Sequence, residues 1–395
     1  MKFPPFVNDL TLPAIEYQQA LREWTKTMRE ESPVVHIDAN NSWVVFHYND
    51  VVRVQNDYET FSSQQTIKAR ANEEHEPTSI IEMDPPQHRQ MRSLLTQAFS
   101  PRTVAAMEPQ IQQIVNELFD KALARGHIDW MAEVANPLPV IVIADMLGLP
   151  RDNWRDFKAW TDAIINRSAE APSASQNFSG FFAAAIQQRQ QQPQQDILSR
   201  LIAAEVEGRR LNFEELIGFC FTLFIAGNIT TSNMLGNAIL SFDEQPEALA
   251  QLRAHPELAE SAVEEILRYM GPFRAGPNDL LLGRVATKDV IIGEKQIHKG
   301  EYIEVSRFSA NFDKQQFAEP DRIDITRNPN RHQSFGHGIH FCIGAPLARL
   351  EMKVVFQTLV QRTQNITLSH DQKIEQVPSR LIFGPLLLPV TLQPA

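Results

Sequence analysis

The chain has 395 residues, of which 43% are hydrophobic and 22% charged, a balance that suits a folded protein with a substantial core and excludes a disordered one. Its formal charge of -11 argues against a nucleic-acid partner, whose binding draws on an excess of Lys and Arg. Two cysteines far apart in sequence, Cys220 in an apolar stretch and Cys342 in a glycine-rich one, suggest no disulfide framework and fit a reducing cytoplasm.

In chain order, Met1 to Leu12 lacks the long apolar run of a signal peptide or membrane anchor, so a soluble protein is expected. Glu16 to Glu31 has the spacing of an amphipathic helix. Pro33 to Ile37 and Trp43 to Tyr48, around Asp38-Ala-Asn-Asn-Ser42, read as a hairpin, with Asn49-Asp50 capping a short helix. Phe61 to Ile80 turns polar and irregular, a loop long enough to be functional or a solvated connector. Asp84-Pro85-Pro86 starts a helix that sets His88 and Arg92 four apart on one face, either as donors for a carboxylate or as a solvated basic face. From Thr103, a candidate N-cap, to Ile165 the pattern is helical with breaks at Gly126, Pro137, Pro139 and Pro150. The Ser, Ala and Asn-rich stretch from Asn166 to Gly180 and a glutamine-rich run to Gln195 follow.

Asn212, with Glu215 three residues on, opens the longest apolar helix, Leu211 to Leu240, about 45 Å at 1.5 Å per residue. The apolar run Ile217 to Ala226 is too short to cross a membrane and gives way to Asn228, Thr230, Thr231, Ser232 and Asn233, so this helix is expected inside protein. Gly227 weakens it, and the Thr230 hydroxyl either bonds back to a carbonyl one turn earlier or reaches a ligand in the gap. Glu265 and Arg268 can pair across one turn of a later helix. Gly271 to Asp279 then leads through Arg284 to short strands near Val290 to Ile292 and Tyr302 to Val305. No Pro/Gly/Ser-rich linker or repeat divides the chain, so a single domain over residues 1–395 is expected.

The stretch Ser334 to Gly344 carries glycines at 336, 338 and 344, which let backbone pass close to a large flat ligand. Cys342 ends it. A helix with Pro346 in its first turn follows and aims backbone N–H groups back at the sulfur, favouring a thiolate fit to bind a metal.

Phe335-x-x-Gly338-x-x-x-Cys342-x-Gly344 resembles the cysteine loop of the cytochrome P450 family, and the resemblance covers nearly the whole chain. It implies a mainly α fold with small β-sheets, holding haem b between the long helix and the Cys342 loop. Cys342 would then ligate iron, while His88, Arg92, Arg284 and His340 hold the haem propionates and Phe335, Gly344, Ala226 and Gly227 line the cofactor. Ala226-Gly227-Asn228-Ile229-Thr230-Thr231 is similar to the oxygen-activation motif, with Thr230 steering protons. The usual acid before that threonine is replaced by Ile229, so Asn228 with water substitutes, or peroxide is used, or the reaction does not cleave dioxygen. Glu265, Arg268 and Arg322 would form a structural triad behind the loop. The 61–80 loop would cover the haem pocket, a lid would lie near 166–180, and Phe273 and Phe383, the latter at the tip of a C-terminal hairpin, are candidate substrate contacts.

The resemblance further implies hydroxylation of an apolar small molecule by a soluble, cytoplasmic enzyme. Electrons from NAD(P)H would arrive through a ferredoxin or flavodoxin type donor and its reductase. A basic patch of Arg89, Arg102, Arg327, Arg331 and Lys353 would dock that donor. A peroxygenase, isomerase or dehydratase on the same scaffold, or a non-catalytic haem-binding protein, are the alternatives.

Overall fold

In the computed structural model, residues 3–38, 41–64, 79–166, 168–274 and 283–395 are described. The expected covering loop therefore lies mostly outside the described residues, as does 275–282 of the connection after Glu265 and Arg268.

The expected hairpin forms: Val34–Ile37 pairs antiparallel with Ser42–Val45, with His36 opposite Trp43. β-branched residues bury both faces of the pair: Val34 and Val45 pack into one apolar cluster and Ile37 and Val44 into another, with Val45 and Ile37 fully enclosed. This hairpin is the edge of a five-stranded sheet that continues through Tyr302–Val305 and Arg284–Ala286 to Phe61–Ser62. Arg284 is thus set by a strand, not a loop. The helix that follows the hairpin, Tyr48–Asn56, begins without a side-chain cap, so Asn49 and Asp50 lie in its first turn and not ahead of it. Likewise Ser100, not Thr103, caps Pro101–Ala105, accepting the Thr103 N–H at 3.1 Å.

The long helix runs Phe213–Glu244. Asn212 Oδ1 accepts the Glu215 N–H at 2.9 Å, and the Glu215 carboxylate accepts the Asn212 N–H at 2.9 Å, so two end groups that a helix leaves open are satisfied reciprocally. This helix is long and apolar enough to cross a membrane by composition alone. Instead it packs against Pro137–Met146, Trp154–Ile165, Ala171–Gln191 and Ala259–Tyr269. Phe157, Phe178, Phe182 and Phe224 meet edge to face or stacked at its first half and build that side of the core. Ala171–Gln191 makes most of the Ser/Ala/Asn-rich segment helical.

A second sheet joins Thr363–Leu368, Pro389–Pro394 and His127–Asp129. The stretch from Leu381 to Leu388 is not a hairpin of its own. It makes isolated bridges, Ile382 to Phe273 and Pro385 to Gln376. Phe383 is fully buried and stacks on Tyr17 with ring centroids 5.5 Å apart, so it is core and not the exposed tip of a loop.

Candidate active site

The loop before the cysteine owes its shape to two glycines with positive φ, Gly336 at 73° and Gly338 at 69°. A Cβ on Gly338 would come within 2.8 Å of the Gln55 carbonyl, so the loop can lie against the Tyr48–Asn56 helix only without a side chain there. Cys342 N–H donates to the Phe335 carbonyl at 2.9 Å and closes the loop on itself. Gly344 then caps the helix Ala345–Arg362. Its N–H and that of Ala345 act on the Cys342 sulfur as expected, and the Arg92 and Arg307 guanidinium groups favour the anion too. Burial is the larger effect and leaves the thiol above its ordinary range. A sulfur anion at this position calls for a cation in direct contact, which is what a metal supplies.

Beside the sulfur lies a cluster of cationic and donor groups. The rings of His88 and His340 meet edge to face at 4.5 Å, and His340 Nε2 lies 3.0 Å from Ser63 Oγ. His88 is held down to about 4 by burial and by the charges of Arg92 and Arg284. His340 falls to about 2 through burial, Arg284, His88 and Arg92. The acid that acts on His88, Asp84, already accepts from Ser62 Oγ at 2.5 Å and Ser63 N–H at 3.1 Å. His88 is 3% exposed, and its Nε2 has no hydrogen-bond partner. Positive groups gathered around a buried, orphaned donor fit a ligand that carries its own negative charge, as the two carboxylates of haem do. Arg284 Nη1 donates to the Gly283 carbonyl at 2.8 Å, which fixes one end of its guanidinium group.

On the long helix, Ala226 is exposed and Gly227 and Thr230 are partly so, although their neighbours Phe224 and Asn228 are fully buried. Thr230 Oγ1 donates to the Ala226 carbonyl at 2.5 Å. Asn228 does not join them. Its Nδ2 donates to Thr161 Oγ1 at 2.9 Å, on the helix Trp154–Ile165, so its amide is turned into the core and does not stand in for the missing acid. Two residues along a helix is more than half a turn, a separation already visible in the sequence spacing. Ile229 is 6% exposed.

Behind the loop, Arg268 pairs with Glu265 through two hydrogen bonds of 2.9 and 2.8 Å, both side chains fully buried. The third member of the cluster is Arg327, not the expected Arg322: its Nε lies 3.1 Å from Glu265 Oε2. Arg322 offers Arg268 only its carbonyl, and its side chain is exposed, 3.6 Å from Glu319.

The cytochrome P450 family model matches residues 4–138 and 140–391 of the chain. This protein belongs to the cytochrome P450 family. It is 42% identical over 352 residues to "Putative cytochrome P450 YjiB" of Bacillus subtilis (strain 168), covering 85% of this chain and 86% of that one. It is 34% identical over 393 residues to the erythromycin C-12 hydroxylase of Saccharopolyspora erythraea, covering 96% of each. The crystal structure of CYP109E1 from Bacillus megaterium in complex with testosterone matches with a TM-score of 0.85 at 35% identity, covering 94% of this chain and 98% of that one. The protein is accordingly an oxidoreductase of the monooxygenase class, and its family carries haem.

Other side chains of this cytochrome P450 differ from, or add to, what the sequence leads one to expect. The expected basic patch is broken up: Arg89, Arg102 and Arg331 are exposed, but Arg327 is inside the Glu265 cluster and Lys353 is held by Glu108 at 3.3 Å and Glu260 at 3.1 Å. A groove of about 500 Å³ near Pro101, Pro346 and Arg349 is lined by those two acids as well. Glu264 ties the cysteine helix to Ala259–Tyr269, accepting from Arg349 Nε and Nη2 at 2.7 Å each and lying 3.2 Å from His332 Nε2. Arg349 in turn covers the Phe335 ring at 4.6 Å, which steadies the first residue of the loop. Phe273 is half-buried under Arg307, 4.8 Å from guanidinium carbon to ring centroid.

Proposed function

We propose that this cytochrome P450 binds haem b through Cys342 and inserts one oxygen atom from O2 into a C–H or C=C bond of an apolar small molecule. Electrons come from NAD(P)H by way of a ferredoxin or flavodoxin type donor and its reductase, in the cytoplasm. One observation carries the reading: the glycine loop that presents Cys342 is flanked by His88, Arg92, Arg284 and His340, with a buried His88 nitrogen left for a partner.

When bound, haem supplies the redox centre at which dioxygen is split, and thiolate donation favours that cleavage. The cationic residues would hold its carboxylates and so fix its orientation. Ala226 is small and exposed and would leave room for the ring, whereas the space a side chain at Gly227 would need is taken by Ile143, 2.7 Å from the Cβ position. The Thr230 hydroxyl donates to a carbonyl of its own helix, and its oxygen remains free to accept a proton-bearing water. Ile229 beside it is apolar and 6% exposed, and relays no proton. The testosterone complex of CYP109E1 supports a rigid apolar substrate of about steroid size.

Ile229, together with the engagement of Asn228 by Thr161, favours a second reading in which peroxide replaces dioxygen and electrons, or an isomerase or dehydratase reaction runs without either. Turnover with peroxide against turnover with dioxygen plus redox partners separates the two. A library screened for the Soret shift that accompanies displacement of the sixth ligand of the haem identifies the substrate class. Product formation only with peroxide overturns the dioxygen reading.

A further inference from the structure

Arg307 belongs to none of the motifs above. It opens the short helix Arg307–Asn311, directly after the strand Tyr302–Val305. That helix is held rigidly: Ser309 Oγ donates to the Phe46 carbonyl at 2.9 Å, Asn311 Nδ2 donates to Ser334 Oγ at 2.9 Å, and Asn311 Oδ1 accepts the Gln333 N–H at 2.7 Å. Arg307 and the start of the cysteine loop are therefore mounted on one element.

Its side chain reaches the loop itself. Nη1 lies 3.7 Å from the point where Gly336 would carry a Cβ, and the His340 carbonyl oxygen is 3.9 Å from that same point. The guanidinium itself lies over the Phe273 ring, its carbon 4.8 Å from the centroid. A guanidinium that is always charged and set in the crook between Gly336 and His340 is a planar donor for a carboxylate. It also favours the member of a redox couple with less positive charge.

We propose that Arg307 is a further haem-binding residue, presenting its guanidinium to the carboxylate edge of the cofactor and raising the potential at which the haem is reduced. This rests on the haem-thiolate reading. The test uses haem-loaded wild type, Arg307→Met, which keeps an unbranched apolar side chain without the charge, and Arg307→Lys, which keeps the charge without the fork. Haem transfer to excess apomyoglobin and the midpoint potential in a reductive titration are the two readouts.

Arg307→Met should lose haem about tenfold faster and be reduced at a lower potential. Arg307→Lys should recover the potential but only part of the retention. A methionine variant equal to wild type in both, with wild type holding haem normally, overturns the assignment of Arg307 alone. A wild type that takes up no haem overturns the haem-thiolate reading together with it.

Discussion

Arg327 Nε sits 3.1 Å from Glu265 Oε2 while Arg268 holds the same carboxylate from its own helix, so one buried anion is shared by two arginines that lie 59 residues apart in sequence. Asn330 Nδ2 and the Asp324 N–H also donate to that carboxylate, at 3.0 and 2.9 Å. The cluster thus clamps the segment before the cysteine loop onto Ala259–Tyr269. Removing one member leaves a buried charge short of partners, so Arg327→Ala should cost about 3 kcal/mol in urea unfolding. Arg322→Ala, at an exposed side chain, should stay within about 0.5 kcal/mol.

Glu264 gives the protein an acid sensitivity with a defined window. Burial alone would raise its carboxyl, yet the hydrogen bonds from Arg349 and His332 win and bring it down to about 2, from an ordinary value of 4.5. A carboxylate depressed in the folded state stabilises the fold fully above its unfolded value, and that contribution is lost as pH falls from about 4.5 towards 2. Glu264→Gln should flatten the fall of stability over this range while lowering stability at neutral pH. Acid titration followed by near-ultraviolet circular dichroism, at equal ionic strength, reads both effects.

Thr230 is expected to govern how electrons are spent. Thr230→Ala removes the hydroxyl that bonds to the Ala226 carbonyl, and product formed per NAD(P)H consumed should drop by about tenfold or more as peroxide is released. Peroxide-driven turnover, which needs no such proton delivery, should change far less. Ile229→Asp should raise the dioxygen yield if Ile229 is what limits it. Equal coupling in wild type and Thr230→Ala would remove the threonine from the account.

Phe383 makes a packing prediction. Its ring is fully enclosed and stacked on Tyr17, so Phe383→Ala should cost about 3–5 kcal/mol in an unfolding titration. The same substitution should leave the pattern of compounds that shift the Soret band largely intact in protein that remains folded.

These residues also show what the sequence makes legible. Where local chemistry decides, it can be read directly: Asn212 and Glu215 announce the start of the long helix, the β-branched runs announce the first hairpin, and the glycines around Cys342 announce a loop. The pairing of Glu265 with Arg268 is legible from their spacing, but the third member of the cluster is not, because the chain presents arginines at 322 and 327 and the turn between them decides which one faces inward. For Phe383 the sequence leaves substrate contact and core strand both open, because the ring it stacks on, Tyr17, lies 366 residues away. Two members of the expected basic patch are engaged for a similar reason, since Glu265 takes Arg327 and acids from two other elements converge on Lys353, while Arg89, Arg102 and Arg331 stay exposed. Asn228 is different, because helical phase alone already set it apart from Ala226 and Thr230.

The account stands or falls on sulfur ligation by Cys342. The most direct measurement is the absorption spectrum of the reduced carbon monoxide complex of wild type and Cys342→Ser after haem supplementation. Wild type should give the red-shifted Soret band of a thiolate-ligated haem, and the serine variant should lose it. A serine variant that keeps this band, or a wild type that remains colourless, would contradict it.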